Sequence, residues 1–301
     1  MRKLTVYEPF RSLFYAPQFV ALHGGHWAGE GLDVEVLTAG GDITTTGAVM
    51  DGHAEIALGG IMRSLDVAER GGPFLVHFAE VNQRNGFFLL SRAARPGFTW
   101  ADVVGKTIIS FAEAPTPWQC MLTVLRRHGI DPSTVTIERT LPLGEALAAF
   151  KGGHGDFFET GQPSTEQLLA DGAAHLVASM GDMTGPVPFS SYLTTERFLR
   201  HGADVLRRFT RGLHGAQRFI ARADAKQIAE LIAPAFGDMA PEIRHRAVAR
   251  YLAQETWSRD PLLRRPGYEY LQRILLDGGF IRRQHRYEDL IDTTIAQEVV
   301  G

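Results

Sequence analysis

The sequence predicts an α/β protein of two similar lobes, each a β-α-β-α-β unit on a largely parallel sheet. Three observations predict it. Strand-like alternation and helix-like spacing take turns through residue 190, after which the pattern is mostly helical. A helix–glycine–strand joint occurs twice, at Gly24-Gly25 and again at Gly129. The stretch Gly52-His53-Ala54-Glu55-Ile56 matches Gly153-His154-Gly155-Asp156-Phe157 in residue type at every position. Strands alternating with helices are the pattern of parallel sheets.

Leu4-Thr5-Val6-Tyr7 alternates and is the first strand. Phe14 to His23 carries apolar residues at helical spacing and stops at Gly24-Gly25, as helix C-termini do. Leu32 to Leu37 alternates as the second strand, Thr44 to Met50 is a short helix, and Ile56-Ala57-Leu58 is a buried third strand. The second unit repeats the series. Lys106 to Ile109 is its first strand, Cys120 to Arg127 its helix and Gly129-Ile130-Asp131 its turn. Val135 to Glu138 and the helix Gly144 to Phe150 follow, closed by "GGHGDFFETG".

Bulk composition narrows the function. The chain has 301 residues, 45% hydrophobic and 22% charged, which is ordinary globular material sufficient for two lobes. The formal net charge is −3 with no basic run, which argues against a nucleic-acid partner. One cysteine, Cys120, excludes an internal disulfide and a cysteine-rich metal or iron–sulfur site, and its apolar helical neighbours mark it as buried rather than reactive. No apolar run approaches the roughly 20 residues needed to span a bilayer. Met1-Arg2-Lys3 leads straight into the first strand without a signal-peptide pattern, so by itself the sequence implies a cytoplasmic protein.

The pair His23 and His26 invites a metal reading. The second copy of the joint reads Arg127-His128-Gly129 and lacks the pair, and a site would need a further carboxylate or nitrogen nearby. Imidazoles suit the last carbonyls of a helix. The joint is therefore read as structural, and no metal or other cofactor is expected.

Ligands of open α/β sheets gather beyond the carboxyl ends of the strands. Those ends supply the candidate binding residues: Phe10, Arg11 and Tyr15 after the first strand, Gly41 and Asp42 after the second, Gly60 and Arg63 after the third. In the second unit they are Glu113, Thr116 and Trp118, then Glu159 and Gln162. Glycine and free N–H groups at helix starts favour an anionic or strongly polar group. Asp42 and Thr116 also fit plain N-caps, and Phe10 also fits packing between lobes. Tyr15 and Trp118 have the shape to bracket a flat ligand, Arg11 and Arg63 the charge to hold an acid, and Glu113 and Glu159 the acceptors for amino groups. The charged residues fit solvated loops as well. No G-x-S-x-G elbow, P-loop or H-E-x-x-H stretch is present, and no catalytic residue is assigned.

These residues form a further pattern. "FVALHGGHWAGEGLDVEV" resembles the opening of the solute-binding proteins of aliphatic-sulfonate, taurine, nitrate and thiamine-pyrimidine ABC transporters, the SsuA/THI5-like (NMT1/THI5) family. "GAVMDGHAEIALGG", "VVGKTIIS", "ALAAFKGGHGDFFETGQPST", the helical stretch from Leu206 to Ala233 and "RYEDLIDTTIAQ" are similar to later family segments, in order, over nearly the whole chain. Where the family often has Trp-Glu-Pro, Gly161-Gln162-Pro163 stands here.

The resemblance implies a periplasmic-binding-protein type II fold, two α/β lobes around a ligand cleft. Lobe 1 would hold residues 1–90 plus 190–301 and lobe 2 residues 91–189, with crossovers near Phe87 to Ser91 and Phe189 to Leu193. It implies a non-enzymatic, periplasmic, monomeric receptor whose partners are a small-molecule ligand and an ABC permease, working by hinge closure. The alternative is a cytoplasmic thiamine-pyrimidine-synthesis-like enzyme or a ligand sensor on the same scaffold. The lysine and histidine of the family's fungal synthase fall at Gly59 and Arg63, and its cysteine-rich loop is absent. Schiff-base chemistry needs an amine that Gly59 lacks.

Overall fold

The computed structural model describes residues 1–301. Its strands are, in chain order, β1 (Arg2–Glu8), β2 (Leu32–Thr38), β3 (Ile56–Gly59), β4 (Leu75–Asn82), β5 (Phe88–Ser91), β6 (Thr107–Ile109), β7 (Thr136–Glu138), β8 (Phe157–Thr160), β9 (His175–Ser179) and β10 (Ser190–Thr195). They form two five-stranded sheets, ordered β2-β1-β3-β10-β4 and β7-β6-β8-β5-β9. In each, four strands run in one direction, and the strand brought in by a crossover, β10 or β5, runs antiparallel to its neighbours. This is the mixed α/β, two-lobed architecture of periplasmic binding proteins.

The repeat read from the sequence has a physical basis in strand pairing. Val6 pairs with Ile56 in one lobe, and Ile108 with Phe157 in the other. The paired acids of the repeated stretch do the same work: Glu55 accepts the Thr5 N–H at 3.0 Å, and Asp156 accepts the Thr107 N–H at 3.0 Å. Each carboxylate, standing just before β3 or β8 begins, satisfies a backbone donor of the neighbouring strand that would otherwise be left unpaired. The two joints also agree, because Gly25 and Gly129 both sit at φ 71°, a left-handed conformation that glycine adopts without a Cβ clash.

Two elements differ from expectation. A one-turn helix, His26–Gly29, follows the first joint and buries Trp27, which had no place in the periodicity reading. The helix expected from Cys120 begins at Thr116 instead. Pro117 reads as a loop residue in sequence, but in the first helical turn its missing N–H costs nothing.

Helices from the last third of the chain touch both lobes. The helix Ala203–Ile220 packs on Ala16–His23 and on Trp27 in lobe 1. The helix Pro241–Ala253 reaches lobe 2: the Tyr251 oxygen accepts the Gln162 N–H at 3.1 Å, and Arg250 pairs with Glu166. Tyr270, from the helix Arg265–Asp277, donates to the Thr184 carbonyl at 3.0 Å. No helix is long and apolar enough to cross a membrane.

Candidate functional site: a cavity between the sheets

The segments leaving β1, β3, β6 and β8 meet around a cavity of about 220 Å³. Segment Pro9 to Ser12 extends β1, and Gly60 to Arg63 follows β3. From the other sheet come Phe111 to Pro117 after β6 and Thr160 to Ser164 at the end of β8. This is the strand-end position where ligands of parallel sheets gather.

Eight of the sequence candidates stand in the lining. Phe10, Arg11, Tyr15, Gly60 and Arg63 approach from the first sheet. Glu113, Thr116 and Gln162 approach from the second. Four candidates stand outside it, each for a physical reason. Gly41 and Asp42 form an exposed turn bridged between Gly40 and Ile43, beyond an edge strand, and the helix after them is capped by Thr44. Thr116, which is in the lining, is a first-turn residue rather than a side-chain cap. Trp118 is turned from the lining and carries the Arg139 guanidinium 3.8 Å over its ring, so that face is taken. Glu159 is fully buried behind the lining, accepting from the Ser110 hydroxyl at 2.5 Å.

Beyond Phe10 and Tyr15, the sequence candidates missed the aromatic residues of the wall. Phe14, Phe87, Phe111 and Phe189 line the cavity, as does Tyr251. Phe87 and Phe189 lie on the crossovers, where the rule of strand ends does not look. Tyr251 comes from a helix 89 residues beyond Gln162 in the chain, and nothing local in the sequence points to the cavity. Phe10 and Phe111 meet edge-on across the cleft at 5.8 Å, and Phe87 stacks obliquely on Phe111 at 5.1 Å.

The charges are unequal. Arg11 Nε donates to Glu8 at 2.5 Å, and Glu8 also accepts from Gln18 and Thr38, so Arg11 is compensated from behind. Burial raises the Glu8 carboxyl above its usual range against the pull of Arg11. Arg63 has no ion-pair partner; its guanidinium lies 3.5 Å from the Glu113 carbonyl, at the outer limit of a hydrogen bond. The Glu113 carboxylate turns to the Leu143 N–H at 2.9 Å, at the start of the helix Leu143–Lys151. Tyr15 is buried beside Ser190, and burial pushes its phenol up.

Glu159 gives a pH dependence that can be tested. Burial pushes its carboxyl up to about 7, and one oxygen, Oε1, has no partner. Its ordinary value is 4.5, so below that both folded and unfolded chains hold the proton. Between 4.5 and 7 only the folded chain does, so stability falls as pH rises through this window. Glu159→Gln should flatten that slope in denaturant melts taken at pH 5 and pH 8. An unchanged slope would show that Glu159 ionises normally in the fold.

No group of three or more His, Cys, Asp or Glu side chains is arranged to hold a metal ion. Cys120 is buried, and its thiol is pushed up to about 12, chiefly by burial.

Similarity to known proteins agrees with this geometry. Residues 14–224 match the NMT1/THI5-like family. YtlA of Bacillus subtilis (strain 168), which carries a binding-protein name, is 32% identical over 304 aligned residues, covering 100% of this chain and 91% of YtlA. The fold is shared with the ligand-binding component of an ABC-type import system from Staphylococcus aureus, solved with zinc bound (TM-score 0.78, 12% identity, 99% of each chain). It is shared with the periplasmic aliphatic sulphonate binding protein SsuA of Escherichia coli (TM-score 0.73, 14% identity, 97% of this chain and 92% of that one). The desulfurization enzyme DSZB has it too (TM-score 0.70, 15% identity, 100% and 99%). With a family match over most of its length and the cleft of that fold, the chain belongs to the NMT1/THI5-like family.

Proposed function

We propose that this chain captures a small solute between its two lobes and delivers it to an ABC importer, as a receptor rather than an enzyme. The observation that carries the reading is the cavity itself. It is walled by strand ends of both sheets, so a ligand there touches both lobes at once and favours their closure. The 32% identity to YtlA and the folds of the import components support it. In this role the partners are a permease and a small molecule, and the place of work is the periplasm or its equivalent.

DSZB raises the question of catalysis on this scaffold. Cys120 and the serine-flanked His77 are both absent from the lining. A thiolate is the reactive form of cysteine, and Cys120 is buried with its thiol held protonated. His77 sits between the Ser64 hydroxyl at 2.8 Å and the Ser191 hydroxyl at 2.7 Å, but all three are fully buried and absent from the lining. Burial lowers the His77 imidazole to about 3.

A thermal-shift panel of alkanesulfonates, taurine, nitrate, aminopyrimidines, thiamine, riboflavin and aromatic carboxylates tests the reading. A solute at 100 times its Kd should add about 2.7 kcal/mol to stability. Recovery of the bound solute unchanged is the expected result, and its conversion to a product by the purified chain would overturn the receptor role.

A further inference from the structure

The hydrogen-bond pattern around Gln162 points to the class of solute. The Gln162 backbone N–H donates to the Tyr251 oxygen at 3.1 Å, and its side-chain Oε1 accepts the Glu166 N–H at 3.2 Å. Glu166 is in turn held by Arg250. The Glu166 N–H needs an acceptor, which settles which end of the amide is which. The carbonyl faces the helix Ser164–Ala170, leaving the NH₂ as the free end. That nitrogen, Nε2, is buried without a partner on a residue 5% exposed that lines the cavity.

Two further donors stand at the wall. The Tyr251 oxygen accepts from Gln162, so its own proton is available to donate. Arg63 adds a guanidinium with no ion-pair partner, while Arg11 is already matched by Glu8 and one Glu113 oxygen is engaged by the Leu143 N–H. Around these donors stand Phe10, Tyr15, Phe87, Phe111, Phe189 and Tyr251. A dry apolar cavity of roughly 150 Å³ is enough to take benzene, so about 220 Å³ suits one ring with a small substituent.

The geometry points to a single-ring aromatic acid bearing one negative charge, a carboxylate, sulfinate or sulfonate, its oxygens read by Gln162 Nε2, Tyr251 and Arg63. This deepens the receptor reading and rests on it. The lining sets Arg11 and Arg63 against Glu113, with Glu8 behind Arg11, so it holds no positive charge for a second anionic group and a dianion such as phthalate is disfavoured. A buried donor left unpaired discriminates strongly against ligands that lack an acceptor.

Calorimetry on the purified chain tests it with benzoate, benzenesulfinate, benzenesulfonate, butanesulfonate, phthalate and benzylamine. At least one of the three aromatic monoanions should bind tenfold or more tightly than the aliphatic, dianionic and cationic probes. Gln162→Leu should weaken that binding tenfold or more. Because it also removes the acceptor of the buried Glu166 N–H, the melting temperature of the ligand-free protein should fall modestly, and Gln162→Glu, which keeps that acceptor, is the control for the fold. Gln162→Glu, which keeps the acceptor for Glu166 and aims a carboxylate at the cavity, should abolish anion binding. Preference for butanesulfonate or benzylamine, or Gln162→Leu binding at wild-type strength, would overturn the assignment and leave the receptor reading intact. Failure of all three aromatic monoanions to bind would also overturn the assignment, and the receptor reading would then be judged by the wider panel.

Discussion

Trp27→Ala should destabilise the protein by about 3–5 kcal/mol, lowering its melting temperature on the order of 10 °C. Trp27 is 1% exposed, and its ring stacks on Phe209 with centroids 4.7 Å apart. Its indole N–H donates to the Phe209 carbonyl at 3.0 Å. The partner helix is shaped to receive it, since a Cβ on Gly212 would fall 2.3 Å from Trp27 Cδ1. Gly212→Ala alone should therefore cost about 1–3 kcal/mol by overpacking. In the Trp27→Ala background the same change should instead stabilise, because the space is vacant and alanine is the better helix former by about 1 kcal/mol. That reversal of sign across a double-mutant cycle is the decisive observation. Additive costs would mean that the two residues do not share a packing constraint.

The second large effect lies at the join between the lobes. Glu166 is 2% exposed and Arg250 29% exposed, so Arg250→Ala would strand a buried carboxylate. Breaking such a pair costs about 3–5 kcal/mol, and the partial exposure of Arg250 places this one near 3. Glu166→Gln should cost less, because a neutral amide is cheaper to bury. Replacing both members with apolar residues of similar volume should recover most of the loss. Urea melts of the singles and the double would show it. Arg250→Ala within about 1 kcal/mol of wild type would mean that water already reaches the carboxylate.

Local pattern carried the strands and helices of this fold because burial on each face dictates alternation or helical spacing directly. The paired stretches around Glu55 and Asp156 were legible for the same reason: both acids stand just before a strand begins and hold its neighbour. Half the cavity was legible by the rule of strand ends, which found Arg63 and Gln162 from position alone. Trp118 shows the limit of that rule, since loop membership says nothing of which way a ring turns, and here Arg139 takes its face. Tyr251 shows a second limit. It reaches the cavity through the packing of a distant helix, which no window of sequence contains. Trp27 was hidden in a glycine-rich joint because a single helical turn is too short to show a period.

The position of β10 has a consequence for how the chain acquires its shape during synthesis. All five strands of the second sheet lie between Phe88 and Ser179, an unbroken stretch of chain. The first sheet cannot close on its own early residues, because β10 lies between β3 and β4 and is made only after the second sheet is complete. On a ribosome, then, the lobe encoded second is the first that can finish, while β3 and β4 wait with unsatisfied edges. Until Thr195 has emerged from the exit tunnel, those open strands are the part of the nascent chain most in need of a chaperone.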